Sequence, residues 1–477
     1  MPEYKNYSIR IAIMVKKEIK MTKNLTTGNP AKLILIFTLP LIIGNIFQQF
    51  YSMADTLIVG RTIGVNALAA VGCTGSLSFF ILGFVMGLTS GLSIITAQRF
   101  GAQDPAGVRK SFATSIVLSL GASLLLTAIA TPLSRTFLEF LQTPPEIIDD
   151  AVSYIEVIFL GIGASVLFNL LSNSMRALGD SRVPLYFLII ACCINIVLDY
   201  AFILIFNMGV AGAGYATVLS QLISGICCIV YIKKKIPLLC ITRDDFRIHP
   251  EDIRTHLKVA LPMAFQMSII AIGSLILQFA LNGLGAVSVA AYTAAQKIDT
   301  IATQPMNSFG ATMATYTAQN YGANKLDRIR KGVFQCILIS VSFSIVMGLV
   351  NIFAGHELTS LFVGSGEREV LSLSQTYLQI NGSLYFVLAL LFIYRFTLQG
   401  LGKGLVPTIA GIMELVMRAF GALILAAELG FAGACASNPL AWIGACIPLA
   451  IAYYHTIGKI NPRKTRQTPE AICEESR

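Results

Sequence analysis

Three polar side chains inside long apolar stretches carry the clearest chemical signal in this sequence. Asp55 lies in the apolar stretch 33–57, and Asn195 and Asp199 lie in the stretch 184–206. Residues four positions apart lie on one face of a helix, so Asn195 and Asp199 point toward the same neighbour. Carboxylates inside a membrane are costly and usually functional, and two that meet can share a proton or another cation. The pattern predicts a cation-coupling site that contains Asp55 and Asp199.

The first apolar stretch also has a polar stripe. Asn45, Gln48, Ser52 and Asp55 recur at spacings of three, four and three, which places them on one helix face. Such a face is a poor contact for lipid. It predicts the wall of a polar cavity.

The second half of the chain has different chemistry at the matching positions. Glu414 and Arg418 stand where the first half has Asn195 and Asp199. A Glu and an Arg four positions apart can neutralise each other, so this pair is interpreted as a structural salt bridge. Asp299 is a further buried acid, for which the sequence identifies no partner. Asp299, Glu414 and Arg418 are therefore secondary candidates for a coupling role.

The elements that carry these residues are predicted to be membrane-spanning helices. Of 477 residues, 55% are hydrophobic and 13% are charged, whereas a soluble protein carries about 25% charged residues. Twelve long apolar stretches follow one another, and most reach the ~20 residues needed to cross the hydrocarbon core. They cover residues 33–57, 67–97, 112–133, 151–173, 184–206, 211–232, 259–282, 286–316, 333–354, 374–398, 406–427 and 431–456. The predicted fold class is an all-α integral membrane protein.

The placement of positive charge predicts the orientation. Threading the spans alternately puts 29 of the 35 Lys and Arg residues on the side of the two termini and three on the other side. Positive residues accumulate in cytoplasmic loops, so both termini are expected in the cytoplasm, with the protein in a bacterial plasma (inner) membrane. The formal charge of +10 is therefore attributed to membrane orientation, and no nucleic-acid partner is predicted.

The chain also repeats itself. Residues 96–110 read TAQRFGAQDPAGVRK and residues 317–331 read TAQNYGANKLDRIRK, an offset of 221. Internal repeats in an apolar chain are common in secondary transporters, which place their binding sites between or within the repeats. The predicted organisation is a tail at 1–30, an N-lobe at 31–232, a linker at 233–258, a C-lobe at 259–457 and a tail at 458–477. Residues 1–20 are interpreted as a disordered tail or an overextended start.

Other patterns indicate packing and bending. Gly83, Gly87 and Gly91 form a GxxxGxxxG run that favours close helix packing. Pro40 and Pro262 interrupt the first span of each half, and Pro40 is a candidate hinge. The sequence contains no phosphate loop, HExxH, CxxC or GxSxG motif. No enzymatic activity, cofactor or resident metal is expected, and an ion gradient is the simplest energy source.

Taken together, several motifs make the chain resemble the multidrug and toxic compound extrusion (MATE) family. They are ADTLIVGRTIG from Ala54, the TAQRFGA and TAQNYGA segments, MRALGD from Met175 and MGVAGAGYAT from Met208. The resemblance implies two six-helix lobes around a central cleft and export of cationic amphipathic drugs or metabolites in exchange for H⁺ or Na⁺. It also implies a monomer whose partners are small molecules and membrane lipids.

The chain is most similar to the DinF-like and MepA-like branch of that family. The branch implies a coupling site formed by Asp55, Asn195, Asp199 and sometimes Thr217, linked to a bend at Pro40. The NorM-like branch has an acid in the seventh span, where this chain has Gln266. We further expect the substrate cavity to include Gln48, Gln49 and Tyr51. The sequence leaves the choice between H⁺ and Na⁺ open, because carboxylate and amide oxygens suit both.

A flippase for a lipid-linked precursor is the alternative function. A flippase cavity should hold a pyrophosphate with several cationic side chains. The three basic residues inside apolar stretches, Lys297, Arg395 and Arg418, are dispersed along the second half. This dispersion favours the antiporter.

Overall fold

The computed structural model describes residues 24–363 and 367–459, and these residues form helices without any β-strand. Most of the tails expected at 1–30 and 458–477, including residues 1–20, lie outside the described residues. The N-lobe helices are α1 (Pro30–Thr62), α2 (Val65–Gly101), α3 (Pro105–Ala130), α4 (Ser134–Phe140), α5 (Ile148–Leu160), α6 (Ile162–Ala177), α7 (Arg182–Tyr200) and α8 (Gly209–Lys235). The C-lobe helices are α9 (Pro250–Gly283), α10 (Ala286–Gly322), α11 (Leu326–Val363), α12 (Arg368–Gly382), α13 (Tyr385–Gly400), α14 (Leu405–Phe420), α15 (Ala426–Leu429) and α16 (Phe431–Lys459).

The lengths and compositions of these helices suit a membrane. Among the described residues, nine helical segments are long and apolar enough to cross it, or eleven if each of two bent helix pairs counts as one span. The remaining predicted span corresponds to α10, which has 37 residues but carries polar side chains such as Gln296, Lys297 and Asp299. The architecture therefore agrees with the predicted twelve-span, all-α membrane fold.

The backbone repeats as the sequence does. Left-handed backbone conformations occur at Gly64 and Gly285, with φ of 130° and 95°, and again at Gln103 and Asn324, with φ of 57° and 55°. Each pair is separated by 221 residues, since 285 − 64 and 324 − 103 both equal 221. The positive φ at Gly64 and Gly285 is a conformation that glycine adopts without steric cost. The two lobes therefore share their turns as well as their motifs.

The same symmetry appears where helices bend or change pitch. The fourth span of each lobe is a bent pair, with 47° between α5 and α6 and 49° between α12 and α13. A short π-helical turn continues α7 at Ala201–Ile205, and another continues α14 at Gly421–Leu425. π-Turns inside helices often accompany functional sites. Here they directly follow the polar residues of α7 and α14.

The lobes pack closely where α2 crosses α9. A side chain at Gly87 would collide with the backbone of Met263 and Ala264, and one at Gly91 would come within 2.5 Å of the Ala260 Cα atom. The predicted packing role of this glycine run is therefore confirmed. The contact holds α2 of the N-lobe directly against the C-lobe.

The predicted linker 233–258 includes the ends of two helices, because α8 continues to Lys235 and α9 begins at Pro250. Two ion pairs attach this region to α3: Arg109 to Asp245 at 3.5 Å and Lys110 to Asp252 at 2.9 Å. Partial burial opposes ionisation of Asp245, but hydrogen bonds from Thr242 and the Arg109 charge lower its pKa. The link is thus fixed to the N-lobe by charge.

Both ends of the described chain lie at the end of the molecule that carries the linker, which we call the linker end. The Leu25 N–H donates to Gln319 Oε1 at 3.0 Å, and the Arg330 guanidinium donates to the carbonyl of Ile457 at 3.1 Å. These contacts place the start of α1 and the end of α16 beside the turn between α10 and α11. The opposite end, with the turns at Gly64 and Gly285, is called the far end.

Candidate cation-coupling site

Helices α1, α7 and α8 bring the predicted coupling residues together. Asp55 lies in the far-end half of α1, and Asp199 is the penultimate residue of α7, directly before the π-helical turn. Asp55 is 8% exposed, and Asn195 and Asp199 are fully buried. The helix periodicity of α7 directs Asn195 and Asp199 to the same side, toward α1 and α8.

The two carboxyl groups lie within side-chain hydrogen-bonding reach of each other. When both are ionised, Asp55 Oδ1 and Asp199 Oδ1 are buried without a hydrogen-bond partner. Two adjacent buried carboxylates repel each other and have lost their hydration, so both charges are costly. A proton or another cation between them would remove this penalty.

Asn195 connects the acid pair to α8. In the amide orientation that satisfies both neighbours of Asn195, its nitrogen donates to Asp199 Oδ2 at 3.1 Å and its oxygen accepts from the backbone N–H of Thr217 at 3.2 Å. This arrangement fixes the orientation of both Asn195 and Asp199. Thr217 therefore contributes to the cluster through its backbone as well as its side chain.

Two tyrosines complete the cluster. The hydroxyl of Tyr51, four residues before Asp55 on α1, donates to Thr217 Oγ1 at 3.0 Å. Tyr154 of α5 is 9% exposed and lies within electrostatic range of both carboxyl groups. The sequence predicts Tyr51 in the substrate cavity and gives no signal for Tyr154. The spacing of polar residues in the first apolar stretch describes one face of α1 and says nothing about Tyr154, which lies on α5 of the fourth span.

The polar residues of α1 lie in different environments along the helix. The Asn45 amide donates to Ser308 Oγ of α10 at 2.9 Å, which joins the lobes. Gln48, Gln49 and Ser52 are exposed, whereas Asp55 is buried. Pro40 lies within α1, which continues through it to Thr62.

The matching place in the C-lobe holds a buried ionic triad. Glu414 accepts from Arg395 at 2.5 Å and from Arg418 at 3.1 Å, and all three residues are less than 9% exposed. The predicted pairing of Glu414 with Arg418 is confirmed. Of the three basic residues that the sequence shows as dispersed, Arg395 and Arg418 meet at one carboxylate, whereas Lys297 lies apart from them. Arg395 lies on α13 and Arg418 on α14, and both contact the carboxylate of Glu414. Lys297 is exposed.

Asp299 has a different partner. The Tyr385 hydroxyl donates to Asp299 Oδ1 at 2.7 Å and accepts from the Asn351 amide at 2.8 Å. The acid on α10 is thus held by residues of α13 and α11. This network satisfies the carboxylate, in contrast to the unpartnered oxygens of the Asp55–Asp199 pair.

Reciprocal contacts close the linker end between the lobes. The Gln98 amide donates to the carbonyl of Gly400 at 2.9 Å, and the Gln319 amide donates to the carbonyl of Ala177 at 2.8 Å. Each glutamine, from a TAQ motif, therefore binds the last residue of the bent fourth span in the opposite lobe.

Hydrogen bonds between the lobes are concentrated toward the linker end. Among the described residues, they extend no farther toward the far end than Asn45 on α1 and Phe80 on α2. Exposed side chains such as Phe50 and Met53 follow on α1.

A preformed metal site is not evident in the described parts of the chain, which contain no group of three or more His, Cys, Asp or Glu side chains placed to hold a metal ion. The Asp55–Asp199 pair has two carboxylates and the Asn195 amide. Its donors suit a proton or a single hard monovalent cation.

Comparison with known sequences agrees with the two-lobed organisation. The profile of the MatE family matches residues 40–201 and 262–424, one segment in each lobe. The chain is 32% identical over 305 residues to the probable multidrug resistance protein YpnP of Bacillus subtilis, covering 64% of this chain and 68% of that protein. It is 22% identical over 408 residues to the multidrug export protein MepA of Staphylococcus aureus, covering 84% and 88%.

Solved structures share the fold. A MATE crystal structure in complex with MaL6 superposes with a TM-score of 0.86 at 24% identity and covers 92% of this chain and 99% of that one. The outward-facing conformation of a MATE multidrug resistance transporter gives a TM-score of 0.86 at 24% identity, covering 94% and 99%. The arrangement of the two six-span lobes is therefore that of these proteins.

Proposed function

The chain belongs to the MATE family of multidrug efflux transporters, and from this premise we propose that it is a cation-coupled antiporter that exports cationic amphipathic compounds in exchange for H⁺ or Na⁺. We place it in a bacterial plasma membrane, with the linker end in the cytoplasm, acting as a monomer. Members of this family are transporters, and we propose no enzymatic activity.

The observation that carries the proposal is the pair of buried carboxyl groups of Asp55 and Asp199. Their unpartnered oxygens favour the uptake of a cation, and its release restores the repulsion between them. A cation that binds one conformation of the lobes better than the other shifts the balance between conformations. The site lies between α7 and α1, and α1 also contacts the C-lobe. Cation binding at the site can therefore change how the two lobes are arranged.

The hydrogen bonds around the pair give a route from ion binding to movement of α1. Tyr51 and Asp55 lie one turn apart on α1, and Tyr51 is bonded to Thr217 of α8. A change in the charge of the acid pair therefore acts on the attachment of α1 to α8. Pro40, which removes one backbone hydrogen bond within α1, remains the proposed hinge.

The test is ethidium efflux by purified protein in liposomes, with a pH gradient and a Na⁺ gradient imposed separately. We expect one gradient to drive efflux and the variants Asp55→Asn and Asp199→Asn to reduce it to the rate of protein-free liposomes. Either amide removes one ionisable group while keeping its size. The effective gradient identifies the coupling ion.

Asp150→Asn is the matched control, because Asp150 is an exposed acid in α5. This variant should keep the wild-type efflux rate. Ethidium binding measured on the same preparations separates loss of coupling from loss of folding. Gradient-driven efflux that persists in both Asp55→Asn and Asp199→Asn would contradict this coupling site.

A further inference from the structure

The C-lobe triad carries the opposite sign of charge from the coupling site of the N-lobe. Arg395 and Arg418 share the single carboxylate of Glu414, so the ionised triad has one positive charge in excess. One carboxylate neutralises only one of the two guanidinium groups, so one positive charge is left without a counter-charge. In a buried site this excess favours a second anion.

Several donors of this cluster lack an acceptor. The Nε atoms of Arg395 and Arg418 have no hydrogen-bond partner. Both residues are more than nine-tenths buried, so bulk water does not replace the missing partner. A buried donor without a partner costs roughly 1–3 kcal/mol, and more when it is charged. An oxyanion with two acceptor atoms would satisfy a guanidinium in the geometry that arginine prefers.

A layer of amides adjoins the triad. The Gln399 side chain, one turn after Arg395 on α13, donates to Gln266 Oε1 at 2.9 Å. Gln266 Nε2 is left buried without a partner. This amide adds another unsatisfied donor along the contact between α9 and α13.

Glycines make room for these long side chains. A Cβ atom at Gly273 of α9 would lie 3.3 Å from Arg418 Cδ, and one at Gly411 of α14 would lie 3.3 Å from Gln266 Cγ. The absent side chains let the polar groups of α13 and α14 lie close to α9. The cluster therefore forms a polar seam between these three helices.

The half-buried acid of α10, Asp299, already has a hydrogen-bond partner. Asp299 accepts from the Tyr385 hydroxyl at 2.7 Å, and Tyr292 lies within electrostatic range of both Asp299 and Arg418. The carboxylate of Asp299 is thus bound to a tyrosine and not to either arginine. The excess positive charge of the triad remains available to a ligand.

We propose that the triad of Arg395, Glu414 and Arg418 binds an anionic group, such as a carboxylate, of the exported compound. This inference rests on the proposed transport function and refines its substrate class. The preferred substrates are zwitterionic amphiphiles, with a cationic part and an acidic part. The acids of the N-lobe would attract the cationic part of such a molecule, and the positively charged triad of the C-lobe would attract its acidic part.

Two dyes with one chromophore test the proposal: tetramethylrhodamine, which has a free carboxylate, and its methyl ester, which is a cation. Binding of each to the protein in phosphatidylcholine nanodiscs is measured by fluorescence anisotropy, with empty discs as the blank. We expect the wild type to bind the acid more tightly than the ester. Arg418→Gln should lower the acid-to-ester affinity ratio about tenfold, as expected for loss of a charged hydrogen bond.

Two further variants separate charge from packing. Glu414→Gln raises the net charge of the triad and should raise the ratio, whereas Arg418→Lys keeps the charge and should stay closer to wild type than Arg418→Gln. A merely structural triad would change the binding of both dyes equally. An unchanged ratio in Arg418→Gln and Glu414→Gln would therefore overturn the proposal.

Comparing the two dyes on the wild-type protein tests the proposal without relying on any variant to fold. Equal binding of the two dyes, or tighter binding of the ester, overturns the proposal directly. A preference for the acid that disappears when phosphatidylglycerol replaces phosphatidylcholine would assign the anion site to a lipid headgroup and also overturn it. The ethidium assay is independent, so failure of coupled export and failure of anion recognition remain distinguishable.

Discussion

At the scale of single residues, the buried acids of this protein differ in how their charge is satisfied. Glu414 has two arginine partners and Asp299 has a tyrosine partner. Asp55 and Asp199 have each other and retain unpartnered oxygens. A satisfied acid stabilises packing, whereas an acid with free oxygens can exchange a cation during transport.

Tyr385→Phe tests the structural assignment of Asp299. The variant removes the hydroxyl that donates to Asp299 and leaves the half-buried carboxylate of Asp299 and the buried Asn351 amide without this partner. We expect the free energy of unfolding to fall by about 1–3 kcal/mol. Thermal unfolding can be followed through Trp442, the single tryptophan, whose ring lies 6.2 Å from that of Tyr385.

Tyr186→Phe is the control, because Tyr186 is 57% exposed. It should unfold like the wild type. If Tyr385→Phe is as stable as this control, Asp299 does not depend on the tyrosine and becomes a stronger candidate for a coupling role.

At the scale of helices, the crossing of α2 and α10 closes the linker end. Side chains added at Gly101 and Gly322 would collide with the backbone at Gln319 and Gln98, respectively. The two contacts are equivalent, because 319 − 98 and 322 − 101 both equal 221. The TAQ motifs therefore recur because each lobe supplies the same half of a symmetric contact.

Gly101→Ala and Gly322→Ala should weaken this closure. A Cβ atom has no room at either crossing, so we expect the lobes to separate at the linker end. Hydrogen–deuterium exchange should rise in peptides covering 95–102 and 316–323. Gly121→Ala is the matched control, since a Cβ atom at Gly121 meets nothing within 4 Å.

Unchanged exchange in both crossing variants would show that the contact tolerates a methyl group. Increased exchange spread over the whole chain would instead indicate general destabilisation. The expected result is an increase confined to the two peptides at the crossing.

At the scale of the whole molecule, the linker end gathers basic residues around both ends of the chain. Lys325 and Arg328 bind carbonyl oxygens of Thr26 and Gly28, at 2.9 and 2.7 Å. These basic residues thus have two roles. They hold the start of α1 against the C-lobe, and they are expected to keep this end in the cytoplasm.

Fusions to alkaline phosphatase, which is active only outside the cytoplasm, test this orientation. Fusions after Gly64 and Gly285, at the far-end turns, should be active. Fusions after Gln103 and Asn324, at the linker-end turns, should be inactive. The opposite pattern would contradict the proposed cytoplasmic position of the linker end.

The sequence by itself determined the number of spans, the repeat and the helix faces of Asp55, Asn195 and Asp199, because these depend on local hydropathy and helix periodicity. Only the tertiary structure decided which of these faces meet. It joined Arg395 to Glu414, gave Asp299 its tyrosine partner and placed Tyr154 within electrostatic range of Asp55 and Asp199. Each of these pairs joins side chains of different helices, and the packing of one helix against another leaves no periodic signal in the sequence.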